Sequence, residues 1–146
     1  MNREIRTILL AEDSAADAEM AIDALREAKL ANPVVHVEDG VEALDYLLCR
    51  GAFEARGKGV PAVVLLDIKM PRMDGIEVLR RMRETEHLRR VPVVILSSSR
   101  EESDLVHSWD LGVNAYVVKP VDAGQFFHAV QMLGQFWAVL NEFPND

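Results

Sequence analysis

Cysteine is nearly absent: Cys49 is the only one in 146 residues. An intrachain disulfide is therefore excluded, as expected for a reducing compartment. Long apolar runs are missing too. No stretch reaches the roughly 18 apolar residues of a membrane span, and the run within Met1–Ala11 is too short for a signal peptide. Basic charge is scarce, with 16 Lys and Arg against 24 Asp and Glu, a formal net charge of −8. That balance argues against direct nucleic-acid binding and leaves acidic clusters free to hold a divalent cation. The expectation is a cytoplasmic protein with no nucleic-acid or membrane partner. Linkers, repeats and low-complexity tracts are also lacking. A chain that is 49% hydrophobic and 27% charged then reads as one globular domain that uses up residues 1–146.

What is present is organised around Val63–Val64–Leu65–Leu66–Asp67. Four apolar residues in a row suit a strand buried on both faces, the habit of a parallel sheet. The run stops on a carboxylate and is followed by a Pro- and Gly-punctuated loop, Ile68 to Gly75. Asp67 is thus placed at the carboxyl end of a central strand, where open α/β sheets bind ligands. Four further strands are expected at Thr7–Ala11, Val34–Glu38, Pro92–Leu96 and Ala115–Val118. Helical patterns separate them, at about 15–30, 41–49, 75–85 and 122–141, with one more between the fourth and fifth strands. Ser14 or Asp13 caps the first helix. Met20, Ala21, Leu25 and Ala28 give it an apolar stripe. The fourth helix carries Leu105, Val106, Trp109 and Leu111 and ends at Gly112. Arg50–Val60 reads as a mobile loop. Five βα repeats predict a doubly wound parallel sheet with helices on both faces.

Four strands end in polar residues suited to one task. Glu12 and Asp13 follow the first, Asp67 ends the third, Ser97 follows the fourth and Lys119 the fifth. In a doubly wound sheet these ends lie along one edge. Three neighbouring carboxylates repel unless a cation sits among them, and oxygen-only ligands suit Mg²⁺. A carboxylate can also serve as the nucleophile of phosphoryl transfer. Lys119 can pair with a phosphoryl oxygen as a point charge, and Ser97 can hydrogen-bond another.

These motifs, together with Met70–Pro71, Met73–Asp74–Gly75 and Lys119–Pro120, resemble those of response-regulator receiver domains of two-component signalling. The resemblance covers residues 5 to about 140. It implies the flavodoxin-like (βα)5 fold with strand order 2-1-3-4-5. It implies Asp67 as the phosphoacceptor for a histidine kinase and slow hydrolysis of the resulting acyl phosphate. Asp13 and Asp67 would ligate Mg²⁺ directly, with the Lys69 carbonyl as a third ligand and Glu12 acting through water. Ser97 and Tyr116 resemble the switch pair, and the Lys119–Pro120 bond is expected cis.

Plainer readings stand beside these. Glu12 and Asp13 can also cap a helix, Ser97 has Ser98 and Ser99 as turn-forming neighbours, and Asp74 reads as a turn residue. The four histidines, His36, His87, His107 and His128, form no ligand or triad pattern. Cys49 reads as a buried small hydrophobe. A receiver-like interaction module that signals without phosphate is one alternative. A phosphatase with an aspartyl nucleophile is another, but such enzymes use a second acid two residues on, and that position is Lys69. A flavin or nucleotide carrier is disfavoured because the first βα turn, Ala11–Ala16, has no glycine.

The last helix carries two apolar stripes, Phe126, Val130, Leu133, Trp137 and Leu140 beside Ala129, Met132, Phe136, Val139 and Phe143. At about 100° per residue they cover nearly half the circumference, more than packing on one sheet face requires. A homodimer through Phe136, Trp137, Leu140 and Phe143 is expected. The Arg50–Val60 insertion and this aromatic terminus are similar to the small response regulators paired with bacterial phytochromes, so the resemblance implies a bacteriophytochrome kinase as partner.

Overall fold

In the computed structural model, residues 6–28, 32–56 and 59–132 are described. The elements alternate throughout: β1 (Ile8–Ala11), α1 (Ala15–Glu27), β2 (Val34–Val37), α2 (Gly40–Leu47), β3 (Val63–Asp67), α3 (Gly75–Glu84), β4 (Val93–Ser97), α4 (Arg100–Ser108), β5 (Ala115–Val118) and α5 (Ala123–Met132). The five strands form one parallel sheet in the order β2-β1-β3-β4-β5. This is the expected topology.

Side-chain alternation along each strand divides the core into two layers. Ile8, Leu10, Val63, Leu65, Val94, Leu96 and Val117 face α1 and α5, which contribute Ala18, Ala21, Leu25 and Phe126. Leu9, Ala11, Val64, Leu66, Val93 and Ile95 face α2, α3 and α4, which contribute Leu44, Leu47, Leu79, Met82 and Val106. β1, β3 and β4 are buried along their whole length, which is why they read as unbroken apolar runs.

The register aligns the functional edge. Ala11 pairs with Leu66, so Glu12 and Asp67 follow side by side. Asp67 pairs with Leu96, so Ser97 lies one residue beyond that row, and Ser97 pairs with Val118, so Lys119 follows on the same carboxyl edge. One carboxyl edge therefore gathers residues separated by more than a hundred positions in sequence.

Several boundaries differ from the sequence reading. Helix α1 stops at Glu27, with Ala28 as its C-cap. Met20 is exposed, because the buried stripe of α1 runs through Ala18, Ala21, Ala24 and Leu25. Ser97 is the last residue of β4 rather than the first of a loop. Helix α4 ends at Ser108, three residues short of Leu111, and Asp110 and Gly112 adopt positive φ beyond it. Only Val106 of its apolar set is buried; Leu105 and Trp109 are 54% and 44% exposed. Cys49 is half-buried at φ 54°, not a core residue. Residues 50–56 are anchored rather than mobile. They contain a 3-10 turn at Gly51–Phe53, Phe53 meets the Tyr46 ring edge-on at 5.1 Å, and the Arg56 guanidinium lies 4.0 Å above that ring.

Candidate functional site

Each functional side chain is delivered by a local device. Glu12 follows β1, where its backbone N–H donates to the Val37 carbonyl and keeps it in the sheet plane. Ser14 then caps α1 by accepting from Asp17 N–H at 3.2 Å. Glu12 Oε2 accepts from Ser14 N–H at 3.1 Å. Behind Asp67 the chain folds back sharply, and Gly75 N–H donates to the Ile68 carbonyl at 2.8 Å. A Cβ on Gly75 would lie 2.1 Å from the Asp67 carbonyl oxygen. Asp74 caps α3 through Glu77 N–H, as a turn residue rather than a ligand. Arg72, at φ 64°, ties this loop to the N-cap of α2 through Asp39.

The result is a buried acidic cluster with one cation in it. Glu12 is fully buried and Asp67 is 4% exposed, while Asp13 sits at the surface. Carboxylate oxygens of Glu12, Asp13 and Asp67 lie within 4.8 Å of one another. Lys119 Nζ stands 3.2 Å from Glu12 Oε1, 3.2 Å from Asp17 Oδ2 and 3.3 Å from Asp67 Oδ1. The Lys119–Pro120 bond is cis, as expected. Four carboxylates against one ammonium leave the cluster negative. Burial, and then the charge of Glu12, push the Asp67 carboxyl up to about 7, against the opposing pull of Lys119. Burial alone would lower the Lys119 ammonium, but Asp67 and Glu12 outweigh it and raise it. An all-oxygen donor set with uncompensated negative charge fits a hard divalent cation.

Ser97 and Tyr116 occupy the β4–β5 side. The Ser97 hydroxyl is fully buried and bonds the Ser103 hydroxyl of α4 at 2.5 Å. Tyr116 is half-buried on β5, edge-on to His107 at 5.8 Å, and burial raises its phenol. Lys69 lies in the loop after Asp67, with its ammonium 3.5 Å from Glu102 of α4. The expected interface residues Phe136, Trp137, Leu140 and Phe143 lie outside the described residues.

A family model described as the response regulator receiver domain matches residues 8–131. The chain belongs to the response-regulator receiver family. It is 34% identical over 132 residues to the response regulator Rcp1 of Synechocystis sp., covering 90% of this chain and 88% of that protein. Among solved structures, the bacteriophytochrome response regulator RtBRR is 54% identical with a TM-score of 0.91, over 97% of this chain and 86% of its own. The bacteriophytochrome response regulator AtBRR is 57% identical with a TM-score of 0.88, over 96% and 100%. A Mn²⁺-bound form of Rcp1 has a TM-score of 0.73 at 33% identity, over 94% and 96%. This receiver domain therefore works in two-component signalling, in which histidine kinases phosphorylate receivers, and it shares the fold of its phytochrome-associated relatives.

Two members of the receiver site escaped the sequence reading. Asp17 reaches Lys119 from the first turn of α1, where an acid reads only as a partner of the helix dipole. Its signal was the spacing from the Ser14 cap, which aims that turn at the same sheet edge. Ser103 shares the buried side of α4 with Val106, three residues on, and that spacing marked a polar residue facing β4.

Proposed function

We propose that Asp67 is the phosphoacceptor of this receiver and that its phosphorylation reshapes the surface around α4, β5 and α5. One observation carries the reading: a buried carboxylate at the end of the central strand has a lysine ammonium 3.3 Å from its Oδ1 and two further acids within ligand distance. A carboxylate oxygen of Asp67 attacks the phosphorus of a phosphohistidine. The new P–O bond forms as the P–N bond breaks, and the imidazole leaves with the electron pair.

Asp13 and Asp67 would hold Mg²⁺ directly, together with the Lys69 carbonyl. Both Glu12 oxygens already accept hydrogen bonds, from Ser14 and Lys119, which suits a ligand acting through water. Bound there, Mg²⁺ supplies charge neutralisation at the phosphoryl oxygens. Lys119 is the catalytic cation at another of those oxygens, and Asp17 holds it on the far side. The Ser97 hydroxyl moves to a third oxygen. The Tyr116 ring follows inward, and that movement carries the change to the outer surface.

The partner we infer is a histidine kinase of the bacteriophytochrome class, because RtBRR and AtBRR both bear that description. A homodimer through the C-terminal helix belongs to the same reading.

The test is labelling by acetyl phosphate, followed by intact mass. The protein is expected to gain one hydroxylamine-labile phosphate when Mg²⁺ is present and none with excess EDTA. The Asp67→Asn variant is expected to gain none. Equal labelling of that variant overturns the assignment.

A further inference from the structure

We propose that Ser103 is a positioning residue that holds the Ser97 hydroxyl away from Asp67 and so sets how readily phosphorylation engages the switch. The inference rests on the reading of Ser97 as the hydroxyl arm of that switch and assigns it a resting partner. Ser97 ends β4 with no exposure, and Ser103 is 7% exposed on the inner side of α4. Their oxygens lie 2.5 Å apart. Ser103 also donates to the Ser99 carbonyl one turn earlier, at 3.4 Å.

Either hydroxyl can donate in this pair. A hydroxyl has one proton to give. The proposal assigns the donation to Ser97, with the Ser103 proton turned to the Ser99 carbonyl. In this arrangement the single proton of Ser97 is committed toward α4. A phosphoryl group on Asp67 is a charged and stronger acceptor. Ser97 then turns its proton to the phosphoryl oxygen, and Ser103 keeps its bond to Ser99. Little is lost at Ser103, because a hydroxyl oxygen without an incoming donor still has its own donation satisfied.

The position of Ser103 couples this exchange to the outer face. It lines a cleft of about 430 Å³ between α4, β5 and α5, whose walls include His107, Tyr116 and Ala129. Ser103 thus touches the hydroxyl on its inner side and opens toward the aromatic partner on its outer side. Release of Ser97 frees the buried polar bond between the last residue of β4 and this part of α4, while Glu102 keeps its bonds to Ser98.

The competing acceptor is removed in Ser103→Ala. Engagement is expected to become easier by the equivalent of one neutral hydrogen bond, about two- to tenfold. The readout is the affinity for beryllofluoride, a phosphoryl mimic, measured by calorimetry in saturating Mg²⁺. Ser103→Ala is expected to tighten it about two- to tenfold. The pair Ser103→Thr and Ser103→Val separates the hydroxyl from shape. Thr is expected to bind more weakly than Val, because it keeps the acceptor in a side chain of equal volume. In a Ser97→Ala background, Ser103→Ala is expected to change nothing, since no proton remains to be redirected.

The outcomes divide cleanly. Unchanged or weakened affinity in Ser103→Ala, or no difference between Thr and Val, overturns the role of Ser103. The same shift in both backgrounds also overturns it, because the effect would then not pass through Ser97. Should Ser97→Ala alone leave beryllofluoride binding untouched, the underlying assignment of Ser97 fails instead.

Discussion

Asp67 combines two requirements that pull against each other. A nucleophile must be ionised, yet burial and the Glu12 charge hold this carboxyl up at about 7. The sign follows directly. A carboxyl whose folded value exceeds its unfolded value of 3.8 contributes stability that is fully present below 3.8 and is lost as pH rises through about 7. Cation binding needs the ionised form, so protons and Mg²⁺ compete. Without divalent ions, thermal stability is expected to fall between about pH 4 and pH 7. The increment from added Mg²⁺ is expected to grow over the same range and level off above it, by up to about 1.4 kcal/mol per pH unit. Asp67→Asn, neutral at every pH, should flatten both curves. Melting curves across pH with Mg²⁺ or EDTA check this, and an increment independent of pH would contradict it. At this scale the sequence was informative where residue type and strand end coincide, as for Glu12, Asp13, Asp67, Ser97 and Lys119. Its signals for Asp17 and Ser103 were weaker, because these residues reach the site by their place on a helix face rather than by strand position.

At the scale of elements, the strands were the legible part. Continuous apolar runs such as Val63–Leu66 have no reading other than burial on both faces once turn signals bound them. Helix ends were less legible. Helix α4 stops before Leu111 because Asp110 and Gly112 turn at positive φ. Nothing in the apolar spacing announces that its Leu105 and Trp109 face outward. The loop behind Asp67 is the element on which the site depends most. Gly75 begins α3 with no room for a side chain, and Gly40 begins α2 in the same condition, a Cβ there meeting the Met73 carbonyl oxygen at 2.1 Å. Together they close the 68–74 loop from both sides. Replacing an exposed helical glycine with alanine normally stabilises by up to about 1 kcal/mol. Here the opposite is expected: Gly75→Ala should cost about 1–3 kcal/mol through overpacking and slow acetyl phosphate labelling by displacing Asp67. Urea denaturation and the labelling rate measure the two effects, and a stabilised variant with normal labelling would show that the loop does not need this close approach.

At the scale of the whole molecule, the parallel sheet leaves one question for its last helix. The inner side of α5 is accounted for: Phe126 and Ala129 are each 2% exposed and pack with Val117 and Val121 against the sheet. That contact uses residues at the start of the helix. The apolar residues that continue the stripes, Leu133, Phe136, Trp137, Val139, Leu140 and Phe143, follow in the sequence beyond the described helix. A second copy of the chain presents the same stripe and can bury it by symmetry. The prediction is a dimer at micromolar concentration that depends on the centre of this stripe. Wild-type protein is expected to sediment at twice the chain mass, and Trp137→Glu at the chain mass, because burying a carboxylate in an apolar interface is unfavourable. Asp67→Asn is expected to remain dimeric, since its substitution lies at the other end of the fold's logic, in the acidic cluster. Sedimentation velocity over a concentration series, with and without beryllofluoride, distinguishes the cases. A wild-type chain that stays monomeric under every condition removes the interface, while leaving the phosphoacceptor site, which one copy completes from its own strand ends.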